Sequence, residues 1–218
     1  MGRTLSEHES KRLVAEFGVP VVAEREVRTA AEAVRAAEDL GHLVVVKLNG
    51  AGIAHKTERG LVRLGLATSE QVQVAAEELL GRAQPEDGEV TLLVAPMVRG
   101  SRELIAGLHH DPQFGRCVMV GIGGVLAEAT ADVAFALVPI DATDALEMLD
   151  ALSGQALLGP VRGEPALDRD AVAEVLEGLS RLATARPDIE SVDVNPLLIT
   201  DGRPLAVDAL VEVAEAAS

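Results

Sequence analysis

The stretch HLVVVKLNGAGIAHKTERG, residues 42–60, decides how this chain is read. Its first seven residues form an apolar run interrupted once, by Lys47, and the run predicts a buried strand. An ammonium on such a strand needs a partner, or a cleft in which an anion supplies one. The loop that follows contains Gly50, Gly52 and Gly60, which free the backbone so that N–H groups approach phosphates closely. His55 and Lys56 lie inside that loop. Of 19 basic side chains only Lys11, Lys47 and Lys56 are lysines, so two of the three fall in this stretch. A compact ammonium suits a tight phosphate site where a planar guanidinium does not fit. The competing reading is a surface loop with an ordinary His–Lys pair.

Working outward, Ser6 with Glu9 reads as a capping box opening a helix to about Phe17, stopped by Gly18. Thr29 with Glu32 opens a helix through Leu40, and Thr68 with Gln71 opens a third whose apolar face is Val72, Ala75, Ala76, Leu79 and Leu80. Strands are expected at 19–27, 42–48, 61–66, 90–95, 103–108, 117–120, 191–194 and 205–207, with helices starting at Asp141 and spanning 172–182. The polar stretch AQPEDGE, 83–89, reads as a linker. The order β-α-β-β-α-β, then further strands before the last helices, predicts an α+β chain in two lobes. No G-x-G-x-x-G joins a strand to a helix and no Walker A loop is present, so a bound nucleotide would need another geometry.

Two further clusters stand out. Gly121-Ile122-Gly123-Gly124 follows a strand and precedes Glu128 and Asp132; its amides suit an anion nest, or simply a tight turn. Asp193 and Asn195 alternate onto one strand face, and a hairpin through Asp201-Gly202 would bring Asp208, placed on the next strand, beside them. Converging hard oxygens suit Mg²⁺, with turn-capping roles as the alternative.

Composition narrows the partners. A chain of 218 residues with 48% apolar and 25% charged residues folds around a substantial core. Three Phe, no Trp or Tyr, and a net charge of −16 argue against nucleic acid, which is bound by basic side chains and aromatic stacking. The lone Cys117 forms no internal disulfide, no apolar run reaches the ~20 residues of a membrane span, and the N-terminus carries no signal-like segment. These features predict a cytoplasmic protein that binds no membrane.

The segments LSEHESKRLVAEFGVPV, VVVKLNGAGIAHKTERGLVRLGL, RELIAGLHHDPQFG, VGIGGVLAEATADVAF, LLGPVRG and VDVNPLL together resemble the ATP-grasp (β) subunit of ADP-forming acetate–CoA ligases, relatives of the succinyl-CoA synthetase β subunit. The similarity runs along essentially the whole chain. It implies an α+β ATP-grasp fold: one unit over 1–218, with an N-terminal helix at 5–17, a smaller lobe at about 18–94, a larger lobe at about 95–218, and a nucleotide cleft between the lobes. It further implies ATP/ADP and Mg²⁺ as cofactors and a CoA-binding α subunit as partner, in an assembly such as α₂β₂. By the same resemblance Lys47 holds ATP phosphates, and Lys56, Gly60, Glu103, Gly123 and Gly124 line the nucleotide. Met97 and Val98 form a hinge whose backbone reads the base, Asn195 and Asp208 ligate Mg²⁺ with Asp193 close by, and His55 is a phosphohistidine passing phosphate to ADP. Four positions depart from the family pattern: Ala136 stands where an Arg is usual, Ala131 where a polar residue is common, Ala95 for Gln, and Leu61 for Gly. Loss of a phosphate-binding Arg would cost ~1.5–3 kcal/mol, for which Arg162 or Arg99 would have to compensate. The departures motivate an alternative, a regulatory subunit that binds ATP without turnover; a carboxylate–amine ligase of the same fold is a third reading.

Overall fold

The structure is a computed structural model that describes residues 2–41, 43–53, 56, 59–124, 131–161 and 163–214. The chain divides into two compact units, one of residues 4–9 and 22–97, the other of 1–3, 10–21 and 98–218. Strand β1 (Arg3–Thr4) and helix α1 (Glu7–Glu16) are each divided between them; Glu7–Glu9 count with the first. The expected capping box opens α1: Ser6 N–H donates to Glu9 Oε2 at 2.9 Å and Glu9 N–H to Ser6 Oγ at 3.3 Å.

The unit of 22–97 holds β2 (Arg25–Val27), α2 (Ala30–Leu40), β3 (Val44–Asn49), β4 (Val62–Leu66), α3 (Ser69–Gly81) and β5 (Thr91–Pro96). Its four strands form an antiparallel sheet in the order β2-β5-β3-β4. Thr29 and Glu32 complete their box and Gly41 ends α2. The box expected at Thr68 is half made: Thr68 caps the Gln71 amide, while Gln71 Oε1 reaches past it to Ala67 N–H at 2.8 Å. One sheet face, with Val44, Val46, Leu48, Leu92 and Val94, is sealed by the alanine-rich side of α2 and by Val72, Ala76 and Leu79 of α3. Leu61, a departure from the family pattern, joins this apolar core at 1% exposure, and Ala95, another, is buried at 7%.

Residues 83–89 are not a linker. They lie inside this unit, and Pro85–Asp87 forms a 3₁₀ turn. Asp87 is buried and receives both arms of the Arg59 guanidinium, at 2.7 and 2.9 Å. Gly50 and Gly52 owe their small size to this turn: a Cβ on Gly52 would stand 2.8 Å from the Glu86 carbonyl oxygen. Sequence composition alone hid this, because a charge pair 28 residues apart looks like solvated loop residues.

The second unit carries β6 (Arg102–Asp111), β7 (Gly115–Ile122), β8 (Val133–Leu137), α4 (Ala142–Ala151), α5 (Gln155–Leu158), α6 (Arg169–Ala185), β9 (Ile189–Thr200), β10 (Arg203–Ala206) and β11 (Leu210–Val213). The sheet runs β1-β11-β9-β6-β7-β8, with β10 also paired to β9. Helix α6 packs on β6 and β7, and α4 on β8. They cover the face built from Leu104, Ala106, Leu108, Val118, Val120, Val192 and Val194, all buried. Asp141 caps α4 as expected. The DPQFG hairpin is held by Asp111 Oδ1, which accepts from Gln113 and Phe114 N–H at 2.7 and 2.9 Å, and Gly115 takes φ 87°. Among the described residues no helix is long and apolar enough to cross a membrane.

The Arg59 hydrogen bonds hold the Asp87 carboxyl below the ordinary aspartate value. A depressed folded-state pKa contributes stability above the unfolded value that disappears as pH falls through the folded one. Asp87→Asn is therefore expected to lower the urea midpoint at pH 7, with the gap to wild type closing as pH drops below about 4. A gap that stays constant down to pH 3 would contradict this pairing.

Candidate functional site

In the unit of 22–97, residues 47 and 49 of β3 point away from the α2–α3 side, onto a polar face. Lys47 Nζ lies 2.7 Å from Glu7 Oε1, and Lys56 Nζ lies 2.8 Å from Glu7 Oε2. Two of the chain's three lysines thus share one carboxylate that is completely shielded from solvent. Lys47 keeps 13% exposure and Lys56 7%, so both ammonium groups have been drawn out of water. The loop leaving β3 is closed by Leu61 N–H donating to the Lys56 carbonyl at 2.8 Å, and Gly60 takes φ 66°. His55 lies outside the described residues, as do Glu58 and Glu128.

Beside this pair is an extended polar network. Asn49 is buried; its Nδ2 donates to Glu26 Oε1 at 3.0 Å and Thr91 Oγ1 at 2.9 Å, while its Oδ1 accepts the His8 N–H at 3.3 Å. His8 Nδ1 meets Glu24 Oε1 at 2.8 Å. Sequence reasoning missed Glu7, His8, Glu24 and Glu26. Acidic residues in the first turn of a helix are sufficiently explained by the helix dipole, and nothing local reveals that Glu7 reaches a strand forty positions later.

In the other unit, the Asp193–Asn195 face is the one the helices do not cover. Asp193 and Asn195 are exposed while Val192 and Val194 are buried. Leu104 pairs with Leu197 and Ala106 with Val194, so Asn195 and Pro196 together oppose Ile105 alone. Such a bulge re-aims the side chains it carries. The hairpin through Asp201-Gly202 forms, with φ 51° and 81°. Asp208 is not on the next strand, however: β10 ends at Ala206, and Asp208 falls in the short crossing to β11, where Val207 N–H donates to the Pro196 carbonyl at 3.3 Å. The crossing sets Asp208 opposite the bulge. The packing around Asp193, and secondly the nearby Asp208 carboxylate, push the Asp193 pKa above the ordinary aspartate value.

Asp193 and Asp208 are close enough for their carboxylates to repel, and carboxylate oxygens are hard donors of the kind a divalent cation takes. Among the described residues no three His, Cys, Asp or Glu side chains form a metal cluster. Magnesium needs no such cage, since it commonly takes one or two carboxylates and completes its shell with phosphate and water.

Glu103, Gly123 and Gly124 come together at a cavity of about 210 Å³ within the same unit. Gly123 N–H donates to the Glu103 carbonyl at 2.8 Å, and Gly124 takes φ 94°, which disfavours any residue with a Cβ. Asp132 is committed elsewhere: it accepts from Ser153 and Gly154 N–H at 2.8 and 2.7 Å. Ala136 pairs with Val118 on the helix-covered side of the sheet, whereas Asp193 belongs to the opposite side through Gly107, Met119 and Phe135. Its missing guanidinium is therefore not missing from the Asp193 face. Ala131 takes φ 46°, and Arg162 lies outside the described residues. At the expected hinge the division of the chain falls between Met97 and Val98, but the Met97 amide already donates to the Leu43 carbonyl at 2.9 Å.

Comparison with known proteins bears on what these groups do. Residues 1–213 match the ATP-grasp domain family. The chain is 32% identical over 210 residues to the β subunit of ADP-forming acetate–CoA ligase I of Pyrococcus furiosus, covering 95% of this chain and 90% of that one. It is 34% identical over 203 residues to the β subunit of isoenzyme II from the same organism, covering 91% and 86%. Among solved structures it is similar to acetyl-coenzyme A synthetase 1 of Ca. Korarchaeum cryptofilum in complex with coenzyme A, Ca-AMPCP and HgCl⁺, with a TM-score of 0.90, 31% identity, and coverage of 97% and 93%.

Removing the shared carboxylate takes an ion-pair partner from two buried ammonium groups, and breaking a buried ion pair typically costs about 3–5 kcal/mol. Glu7→Ala is expected to lose that much in urea denaturation, and Glu7→Gln less. A loss below about 1 kcal/mol would mean that the pairs behave as surface ones.

Proposed function

Because this chain belongs to the ATP-grasp family, among the β subunits of ADP-forming acetate–CoA ligases, we propose that it is the subunit in which a phosphoryl group passes between a phosphohistidine and ADP. The overall reaction is acyl-CoA, ADP and phosphate to carboxylic acid, CoA and ATP. The observation that supports this reading best is the convergence of Lys47 and Lys56 on one buried carboxylate.

Lys47 and Lys56 hold the nucleotide phosphates, with Glu7 fixing where the two ammonium groups stand. A phosphate oxygen arriving there meets charges already desolvated, so the attraction is stronger than at an exposed lysine. Gly60 and the Glu103–Gly123–Gly124 turn line the nucleotide, and Met97 with Val98 reads the base. Asn195 and Asp208 hold Mg²⁺, with Asp193 beside them; the ion, when bound, neutralises charge on the phosphoryl oxygens. His55 is the phosphoryl carrier, on the strength of the sequence resemblance. In that step its N–P bond breaks, an ADP β-phosphate oxygen forms the new O–P bond, and the imidazole is restored. The partner is a CoA-binding α subunit that forms the acyl phosphate, in an assembly such as α₂β₂.

The regulatory alternative rested on Ala136 and Ala131. The placement of Ala136 on the helix-covered side argues against lost phosphate contacts at that position; Ala131 keeps the alternative as the second reading.

The test is reconstitution with a CoA-binding α subunit from the same genome, following ATP formation from acyl-CoA, ADP, phosphate and Mg²⁺. Lys47→Met is expected to lower kcat/KM for ADP by about a hundredfold, the loss of a charge-assisted contact and its field. Asp208→Asn is expected to raise the Mg²⁺ concentration for half-maximal rate by about tenfold. Wild-type rates in both variants would contradict the assignment. Phosphate label on this subunit should vanish in His55→Ala; unchanged label would remove His55 from the mechanism.

A further inference from the structure

Arg102 opens β6 with only 4% of its side chain exposed, and its guanidinium faces main chain. Nη1 donates to the Leu157 carbonyl at 3.3 Å and the Gly159 carbonyl at 2.9 Å, and Nη2 donates to the Pro165 carbonyl at 2.6 Å. One side chain therefore ties both ends of residues 157–165. That segment needs such a tie. Among its described residues it leaves the four-residue α5, carries an isolated bridge between Val161 and Glu164, and returns where Leu167 N–H donates to the Leu158 carbonyl at 2.9 Å.

Leu157 and Leu158, at the start of the segment, line one side of the 210 Å³ cavity with Leu167, and Ile122, Gly123 and Gly124 line another. Adjacent residues of β6 thus hold both walls: the Glu103 carbonyl holds the Gly123 amide, and the Arg102 guanidinium holds 157–165. Arg102 Nε is buried without a hydrogen-bond partner from the protein, and Glu164 Oε2, 3.6 Å from Nη2, is in the same state. Buried polar atoms of this kind are normally satisfied by an ordered water, and the cavity has room for one.

We propose that Arg102 is a positioning residue for phosphoryl transfer: by clamping 157–165 across the cavity it fixes the Gly123–Gly124 turn at the distance the phosphates require. The inference rests on the reading of that turn as a nucleotide-lining element. Arg102 touches no substrate; it acts on the placement of groups that do, and such placement governs rate more than affinity. Lysine keeps the charge, but its three N–H donors sit on one nitrogen, whereas the three carbonyls are met here from two nitrogens set apart by the planar guanidinium fork.

The experiment compares Arg102→Lys, Arg102→Met and Gly124→Ala in the reconstituted enzyme, with amide hydrogen exchange on each. Arg102→Met is expected to lose about thirtyfold or more in kcat while KM for ADP stays within threefold, and Arg102→Lys to fall in between. Faster exchange across 157–167 should accompany both. Should Arg102→Met not fold, Arg102→Lys carries the same expectations with the smaller kcat loss. Unchanged kcat in the folded Arg102 variants, or a kcat loss without faster exchange in 157–167, overturns the proposal. Gly124→Ala separates the two levels: if it impairs turnover and the Arg102 variants do not, the clamp alone is wrong. If Gly124→Ala leaves turnover intact, the turn is not at the nucleotide and the proposal falls with that reading.

Discussion

A single buried carboxylate, that of Glu7, sets the terms for the chemistry of the smaller unit. Lys47 from the middle of a strand and Lys56 from the loop beyond it both end on its two oxygens. Drawn out of water, each ammonium is offset by this carboxylate, and the carboxylate by both ammonium groups. The consequence is a rigid positive locus from side chains that are elsewhere the most flexible in proteins. The α2–α3 side of the same sheet is apolar throughout, so the polar side is free to carry this cluster and the Asn49 network without weakening the core.

The larger unit solves a different problem. Its sheet separates an aliphatic, helix-covered face from an open one, and the open face bears Asp193 and Asn195. The bulge at Asn195–Pro196 and the crossing that carries Asp208 bring oxygens together at the cost of like-charge repulsion. The alternation of faces also bears on the Ala136 departure. Ala136 sits beneath the sheet, where a small apolar residue suits contact with α4.

Much of this was legible in the chain. The capping box at Thr29, the cap at Asp141, the lysine-bearing strand and the hairpin at Asp201-Gly202 follow from local rules, and the structure has them. Local rules failed where a long-range partner overrode composition. The 83–89 stretch reads as linker because proline, glycine and acids usually make one, yet Arg59 pins Asp87 into a buried turn. Strand β9 reads as a short piece ending before Pro196, but the proline is accommodated in a bulge and the strand continues to Thr200. Glu7 was invisible for the same reason. Its partners lie 40 and 49 positions away, and a helix-start glutamate needs no further explanation.

The proposal that Lys47 binds nucleotide phosphates and that Asn195 and Asp208 bind the metal is open to direct test. A crystal structure with Mn²⁺ and a non-hydrolysable ATP analogue tests it directly. The account predicts an anomalous peak at roughly 2.2 Å from the oxygens of Asn195 and Asp208, with a phosphate oxygen in hydrogen-bond reach of Lys47 Nζ. A nucleotide whose phosphates lie away from Lys47, or a metal with no bond to either Asn195 or Asp208, would contradict it.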